Sequence, residues 1–405
     1  MLKLETNSIA PRWEAMASYA QKIVKAHQKL HDGSLAMTGW VDLPANVDET
    51  YLAEILAVST EIRQQYTALV VIGIGGSYLG TRACYDLLEA DRCGVELFFA
   101  GWNLGGRYHE KLLQKLDGHD VALCVISKSG TTLETTLAFD LLKEYMEGRY
   151  GSDFSDRVYV ITGENSGALH QEAAGKGYRV FPLDEEIGGR YSVLTSVGLL
   201  PLAAAGIDVT ALLDGAKEAY DDLNCDDMEQ NPCYQYAAYR NVLFGEGKVT
   251  EFFSFIEPEM FQFGFWLKQL FAESEGKNCR GIYPSALLYS ADLHSVGQFL
   301  EEGHPIFFET MITLASDAGI NVVQGYKKIY QEHTMAMVDA VYHVRNEKGT
   351  PIVKLTIDAL DAKNLGYMIY FFEKACAMSC LLMGVNPFDQ PGVEAYKSHM
   401  RLLLD

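Results

Sequence analysis

Val70-Val-Ile-Gly-Ile-Gly-Gly-Ser77 and, further along the chain, Val125-Ile-Ser-Lys-Ser-Gly-Thr-Thr-Leu-Glu-Thr135 share one plan. Each is an apolar run that breaks into a small, polar turn and then enters a helical pattern. A helix N-terminus presents unpaired N–H groups and the positive end of the helix dipole, so it favours anions and phosphate above all. The second run adds Ser127, Ser129, Thr131 and Thr132, four short donors able to surround one phosphate, with Lys128 among them. A glycine-rich turn alone is a common packing device, and Ser or Thr before a helix is an ordinary cap. Capping needs one hydroxyl, however, and this stretch supplies four. The pair of turns predicts a site for a phosphorylated small molecule.

Two nucleotide signatures are absent. A dinucleotide fingerprint would need a third glycine where Tyr78 stands, and Gly276-Lys277 is followed by Asn278 rather than Ser or Thr.

Outward from these turns, a strand–helix rhythm runs through the chain. Near-continuous Val/Ile/Leu/Phe runs at 68–74, 95–100, 121–126, 157–161 and 178–182 predict parallel strands buried on both faces. After a crossing helix at 198–207 the rhythm resumes, with strands at 248–256, 286–290, 305–310 and 351–357. Helices are predicted at 259–274, 293–302, 327–343 and 361–383. Residues 12–60 read as amphipathic helices, with Trp13, Met16, Tyr19 and Ile23 at helical spacing. The expected fold class is α/β: two doubly wound parallel-sheet domains with helical N- and C-terminal extensions, ligands binding at strand C-terminal ends. The expected divisions are 1–50, 51–207, 208–370 and 371–405.

A chain of 405 residues, 48% hydrophobic, can bury two cores. Its net charge of −21 argues against nucleic acid and anionic membrane as partners. The apolar stretches near 197–207 and 376–385 are too short to span a bilayer. Eight cysteines without a Cys-x-x-Cys pair, and a start lacking a signal-peptide core, lead us to expect a reducing, cytoplasmic setting.

Other candidates carry chemistry. Arg190 follows two glycines in Gly188-Gly-Arg-Tyr-Ser192, where it can meet negative charge developing on a ligand oxygen. Glu273 ends an apolar helix, where desolvation suits a carboxylate to general-base work; the alternative is a solvated helix end with Glu275 paired to Lys277. His294, in Asp292-Leu-His-Ser295, suits a proton shuttle. His27 and His31 have the spacing of a metal pair but lack a third ligand, so they read as a solvated helix face and no metal is expected. Lys397 follows the turn-rich Asn386-Pro-Phe-Asp-Gln-Pro-Gly392.

Together these segments resemble the phosphoglucose isomerase family in its shorter bacterial form, over about residues 40–400. Five motifs carry the likeness: Ile72-Gly-Ile-Gly-Gly-Ser77, Ile126-Ser-Lys-Ser-Gly-Thr-Thr-Leu-Glu-Thr135, Gly188-Gly-Arg-Tyr-Ser192, Glu273-Ser-Glu-Gly-Lys277, and Pro387-Phe-Asp-Gln-Pro-Gly-Val-Glu394 with Lys397. The resemblance implies sugar-isomerase (SIS-type) domains. It further implies interconversion of glucose 6-phosphate and fructose 6-phosphate, a step of glycolysis and gluconeogenesis, without metal or organic cofactor. The phosphate would rest on Ser77, Ser127, Ser129 and Thr132, with Gly76, Lys128 and Thr131 also binding the substrate. His294 and Lys397 would assist ring opening, and Glu273 would move a proton between C1 and C2 through a cis-enediol. Arg190 would stabilise the enediolate, and Gln269 and Gln390 would contact the sugar. A homodimer with sites shared between subunits is implied.

Two departures stand out. Asp292-Leu-His-Ser replaces the Asn-Gly-Gln-His of longer members, and Ser129-Gly130 stands where they carry Thr-Phe. A non-catalytic sugar-phosphate regulator, or an isomerase also accepting mannose 6-phosphate, would share the two anchor turns. The regulator would not need Glu273, Arg190, His294 and Lys397 together.

Overall fold

A computed structural model of the chain describes residues 2–88, 92–163, 167–315, 330–393, 397, 399–400 and 402–403. Two compact units divide it: an inserted unit, 36–217, and a flanking unit made of 1–35 with 218–405. The segment 1–50 is therefore split between units rather than standing apart. Its first residues form a strand, β1 (Leu2–Leu4), that pairs antiparallel with the last strand of the flanking unit. Sequence reading missed β1 because three residues carry no measurable periodicity.

The inserted unit holds β2 (Ala68–Ile72), β3 (Glu96–Ala100), β4 (Val121–Ile126), β5 (Val158–Gly163) and β6 (Arg179–Leu183). All pair in parallel, in the order β3-β2-β4-β5-β6. Every residue of β2 and β4 is buried, which is why these runs show no alternation of apolar and polar residues. The core is closed on one side by Ala138, Phe139, Leu142 and Met146 of the helix Leu133–Tyr150.

The flanking unit holds β7 (Thr250–Phe255), β8 (Tyr283–Leu288), β9 (Phe307–Leu314) and β10 (Ile352–Ile357), in the order β1-β10-β9-β7-β8. All pairs except β1–β10 are parallel. The helix Ala362–Met383 is long and apolar enough to cross a membrane, yet it is almost wholly buried inside this unit. A helix apolar all round is what the centre of a large core requires. Asp361 caps its start by accepting from the Asn364 N–H at 2.7 Å, and Gly384, at φ +80°, ends it.

Three expectations change. The helix expected at 293–302 is two short ones, Ala291–Ser295 and Gly297–Glu302, divided at Val296. The strand expected at 286–290 begins earlier, at Tyr283. The helix expected from 327 is described only from Tyr330, the residues before it lying outside the described ones. Helices Val209–Leu223 and Pro232–Gly245 were not read from the sequence at all. The second is buried from Cys233 to Leu243, its polar Gln235, Arg240 and Asn241 included, so it shows no amphipathic stripe.

Candidate active site

Counted within the inserted unit, the strand order is 2-1-3-4-5, which reverses direction between β2 and β4. Sheets of this order bind ligands outside the strand C-termini at that reversal. The two polar turns leave β2 and β4 at this point. The first, Gly73–Ser77, includes a short 3-10 turn at Gly75–Ser77 with Gly75 at φ +58°, then enters the helix Leu79–Leu87.

The second turn is tied down from behind. The Ser127 N–H donates to the Ile161 carbonyl (3.1 Å), and the Thr162 hydroxyl donates to the Ser127 carbonyl (2.8 Å). Ser127 is buried, and its Oγ accepts the Gly130 N–H at 3.0 Å, which leaves its hydroxyl proton to be donated. Gly130 sits at φ +70°, where a Cβ would strike Leu169, so only glycine allows the turn. Ser129 and Thr131 are exposed and hydrogen-bonded to each other at 2.9 Å. Thr132 stands at the N-cap of the helix Leu133–Tyr150 but makes no capping hydrogen bond with its side chain. Its hydroxyl is thus not spent on ending the helix, as a plain cap would be.

Two contacts bring a third turn to this edge. Lys128 Nζ donates to the Glu185 carbonyl at 2.8 Å, beyond the end of β6. A Cβ on Gly76 would lie 2.6 Å from the Arg190 nitrogen and closer still to the Gly189 carbonyl. The Gly76 and Gly189 backbones therefore touch, a contact between the two motifs that the sequence reading did not anticipate. Arg190 is 4% exposed, and its neighbour Tyr191 stacks on Trp40 with ring centroids 4.8 Å apart. Gly76, Ser77, the Ser127–Thr132 turn and Arg190 are gathered at one edge of one sheet.

In the flanking unit, Glu273 lies on the last turn of the helix Phe261–Glu275 and is half-buried. Gln269 Nε2, one turn earlier on the same helical face, donates to Glu273 Oε2 at 2.9 Å. The alternative pairing of Glu275 with Lys277 does not occur. Glu275 is fully buried and ion-paired with Arg240, while Lys277 pairs with Asp389 (2.7 Å) and donates to the Asn386 carbonyl. The residues that sequence reasoning missed here are Arg240 and its acceptors. The available signal was an arginine inside the aromatic-rich, mostly apolar Tyr234–Leu243, since such a charge is rarely buried unpaired.

His294 is exposed on the helix Ala291–Ser295, beyond the end of β8. Asp292 fixes that turn by accepting the Leu288 N–H and the Ser295 hydroxyl, each at 2.7 Å. Sequence reading placed the ligand at strand C-termini, and His294 agrees. Glu273 does not: the crossover helix that carries it runs antiparallel to the strands, returning it to the N-terminal edge beside the start of β8. Gln390 is exposed in the turn after Asn386, and Lys397 is half-buried in a helical residue beyond it.

His27 also departs from expectation. It is half-buried, with Nδ1 2.6 Å from the Tyr234 hydroxyl, and burial lowers its pKa to about 4, helped by His31 and Lys374. The pair is not a solvated face. Among the described residues, no group of three or more His, Cys, Asp or Glu side chains is placed to hold a metal ion.

Residues 49–288 match the family model described as phosphoglucose isomerase. The chain is 43% identical to the glucose-6-phosphate isomerase of Alkaliphilus metalliredigens, over 94% of this chain and 90% of that one. The chain belongs to the phosphoglucose isomerase family. The enzyme of that name from Symbiobacterium thermophilum is also 43% identical, over 98% of this chain and 94% of its own. A hypothetical protein of Thermus thermophilus superposes over the full length of both chains with a TM-score of 0.90 at 27% identity. The glucose-6-phosphate isomerase structure from Chlamydia trachomatis shares the fold, with a TM-score of 0.79 over 88% of this chain and 73% of that one, at 22% identity. Family membership makes the chain an aldose–ketose isomerase, and its sheets are those of the sugar-isomerase fold.

Proposed function

We propose that this isomerase, acting on glucose 6-phosphate and fructose 6-phosphate, works by phosphate anchoring and a single carboxylate base. The phosphate sits at the N-terminus of the helix Leu133–Tyr150, on the Ser127, Ser129, Thr131 and Thr132 hydroxyls, with Gly76, Ser77 and Lys128 beside it. His294 and Lys397 move the proton that opens the ring. Glu273 then takes the C2 proton of the open aldose, the electron pair forms the C1=C2 enediolate with its charge on O1, and the same carboxyl returns the proton to C1 as the O2 hydroxyl proton passes to O1 and C2=O2 forms. Arg190 carries the opposing charge, and Gln269 and Gln390 contact the sugar hydroxyls. One base suffices because the proton travels one carbon along a chain that the anchored phosphate holds in register.

The observation that carries this reading is the Ser127–Thr132 turn, whose Thr132 hydroxyl is not used to cap the helix it precedes. Turnover of fructose 6-phosphate, with glucose 6-phosphate reported by an NADP-linked dehydrogenase in the presence of EDTA, tests it. Saturable binding without turnover would make the protein a regulator instead. Mannose 6-phosphate in the same assay decides the breadth of the substrate range. Ser127→Ala combined with Thr132→Ala removes two bonds to a charged group, so KM should rise about tenfold to hundredfold with kcat nearly kept. An unchanged KM would move the anchor elsewhere.

The second part of the proposal is a homodimer with shared sites in a reducing, cytoplasmic setting. Its support is internal to the flanking unit. Glu273 lies at the starting edge of β8 and His294 beyond its other end, and β8 has six residues. At roughly 3.3 Å per residue that strand spans about 20 Å, too far for both side chains to reach one sugar. A second copy related by a two-fold axis can bring its His294 to the first copy's Glu273. Glu273→Gln and His294→Ala subunits, each inactive alone, should regain about a quarter of normal activity when randomly re-paired, since one site in four is then intact. No recovery in verified mixed dimers would show that both residues act within one chain. None of the eight cysteines forms a disulfide, which accords with a reducing compartment.

A further inference from the structure

Arg240 is a fully enclosed charge in the flanking unit. It projects from the helix Pro232–Gly245 and is fully buried. Its guanidinium donates to Glu251 on β7 at 2.9 Å, to Glu275 at the end of the helix Phe261–Glu275, and to the Ser379 hydroxyl at 3.0 Å. It also lies over the Phe271 ring, 4.1 Å from the centroid. Both Glu251 and Glu275 are fully buried. The second oxygen of Glu275 accepts the Ile282 N–H at 3.2 Å, closing the loop that leads into β8.

Helix geometry decides what this grip does. Phe271 and Glu275 are one turn apart, on the same face, and Arg240 holds both. Glu273 lies between them in sequence, so it projects from nearly the opposite side, along with Gln269. Fixing the inner face at two points one turn apart fixes the axial position and rotation of the outer face. The last turn of this helix also carries Glu273 and Glu275 against the negative end of the dipole and has no basic residue of its own. Arg240 offsets that. A buried ion pair is weak evidence of added stability, because apolar residues of the same volume often serve as well; it is better at specifying one arrangement.

We propose that Arg240, through Glu275, Glu251 and Phe271, is the positioning residue that aims the Glu273 carboxylate at the substrate carbons. The proposal rests on Glu273 being the base. Lys277 extends the same hub: it follows Glu275 by two residues and binds the Asn386 carbonyl and Asp389, in the turn that carries Gln390. The end of the base helix is thus tied on its buried side to three elements and on its other side to the sugar-contacting turn.

The experiment is a double-mutant cycle in kcat for fructose 6-phosphate, normalised to folded enzyme by circular dichroism. Arg240→Lys keeps the charge but loses the planar fork, and should lower kcat about 30- to 100-fold while KM moves less than about threefold. In a Glu273→Asp background, where the carboxylate is already misplaced, the same change should cost less than about threefold, because the two residues act on one coordinate. Glu275→Gln, which keeps the shape and size of the side chain, should reproduce the pattern and stands in for Arg240→Lys if that variant does not fold. A purely structural role predicts a lower melting temperature with unchanged kcat per folded enzyme, or equal losses in both backgrounds. Either result overturns the proposal. Failure of the underlying assignment looks different: Glu273→Gln would then turn over normally, whatever the Arg240 variants do.

Discussion

Glu273→Gln is expected to lower kcat by about 10⁴-fold, the upper part of the range for a positioned general base, while sugar-phosphate binding persists. The substitution removes the proton acceptor and little else. Glutamine matches glutamate in shape, and its carbonyl oxygen can still accept from Gln269 Nε2, now 2.9 Å from Glu273 Oε2. Glu275, which holds the helix end through Arg240, is untouched, so the melting temperature should stay within a few degrees. The Ser127–Thr132 turn, the proposed phosphate anchor, lies in the inserted unit and is also unaffected, which is why fructose 6-phosphate should titrate calorimetrically with near-normal affinity. Exchange of the C1 hydrogen of fructose 6-phosphate with solvent deuterium should vanish together with turnover. If exchange continues while net isomerisation stops, proton abstraction belongs to another group and Glu273 acts later. Normal turnover would remove it from the reaction altogether.

The inserted unit was legible in the sequence for a physical reason. Parallel strands buried on both faces must be apolar at every position, so β2 and β4 appear as unbroken runs with sharp polar ends. The two polar turns sit at those ends, and their glycines and hydroxyls are local features that one can read locally. The flanking unit was harder. Glu275 looked like a surface carboxylate near Lys277, but its partner is Arg240, thirty-five residues earlier in the chain. Its assignment depended on which helix packs there, and no short spacing encodes that. The same holds for His27, whose partner is Tyr234. The edge of the sheet on which Glu273 lies followed only from topology: a crossover helix returns the chain to where its strand began. Motif resemblance singled out Glu273 and His294 as candidates without revealing that they lie at opposite ends of β8.

Gly76→Ala should be a severely damaging single-methyl change in the inserted unit. The added Cβ would lie 2.6 Å from the Arg190 nitrogen, against the Gly189 carbonyl, and these neighbours are backbone atoms that no rotamer change can move. The turn after β2 and the turn carrying Arg190 must therefore separate. Arg190 is buried and Tyr191 is stacked on Trp40, so the second turn cannot yield freely and strain spreads into both. Overpacking of this kind costs about 1–3 kcal/mol in stability. The kinetic loss should be larger, because a shift near 1 Å in groups that meet the substrate costs about 10²-fold in kcat/KM. Gly148→Ala is the control. That glycine lies inside the helix Leu133–Tyr150 with nothing within 4 Å of its added Cβ and no positive φ, so the methyl should stabilise by about 0.5–1 kcal/mol and leave kinetics unchanged. Thermal unfolding and steady-state kinetics on the two variants separate the effects. If Gly76→Ala keeps normal kcat/KM, the contact between the two turns does not set the position of Arg190. If it loses kcat/KM while its folded fraction stays high, the backbone contact at Gly76 acts through geometry at the site rather than through global stability.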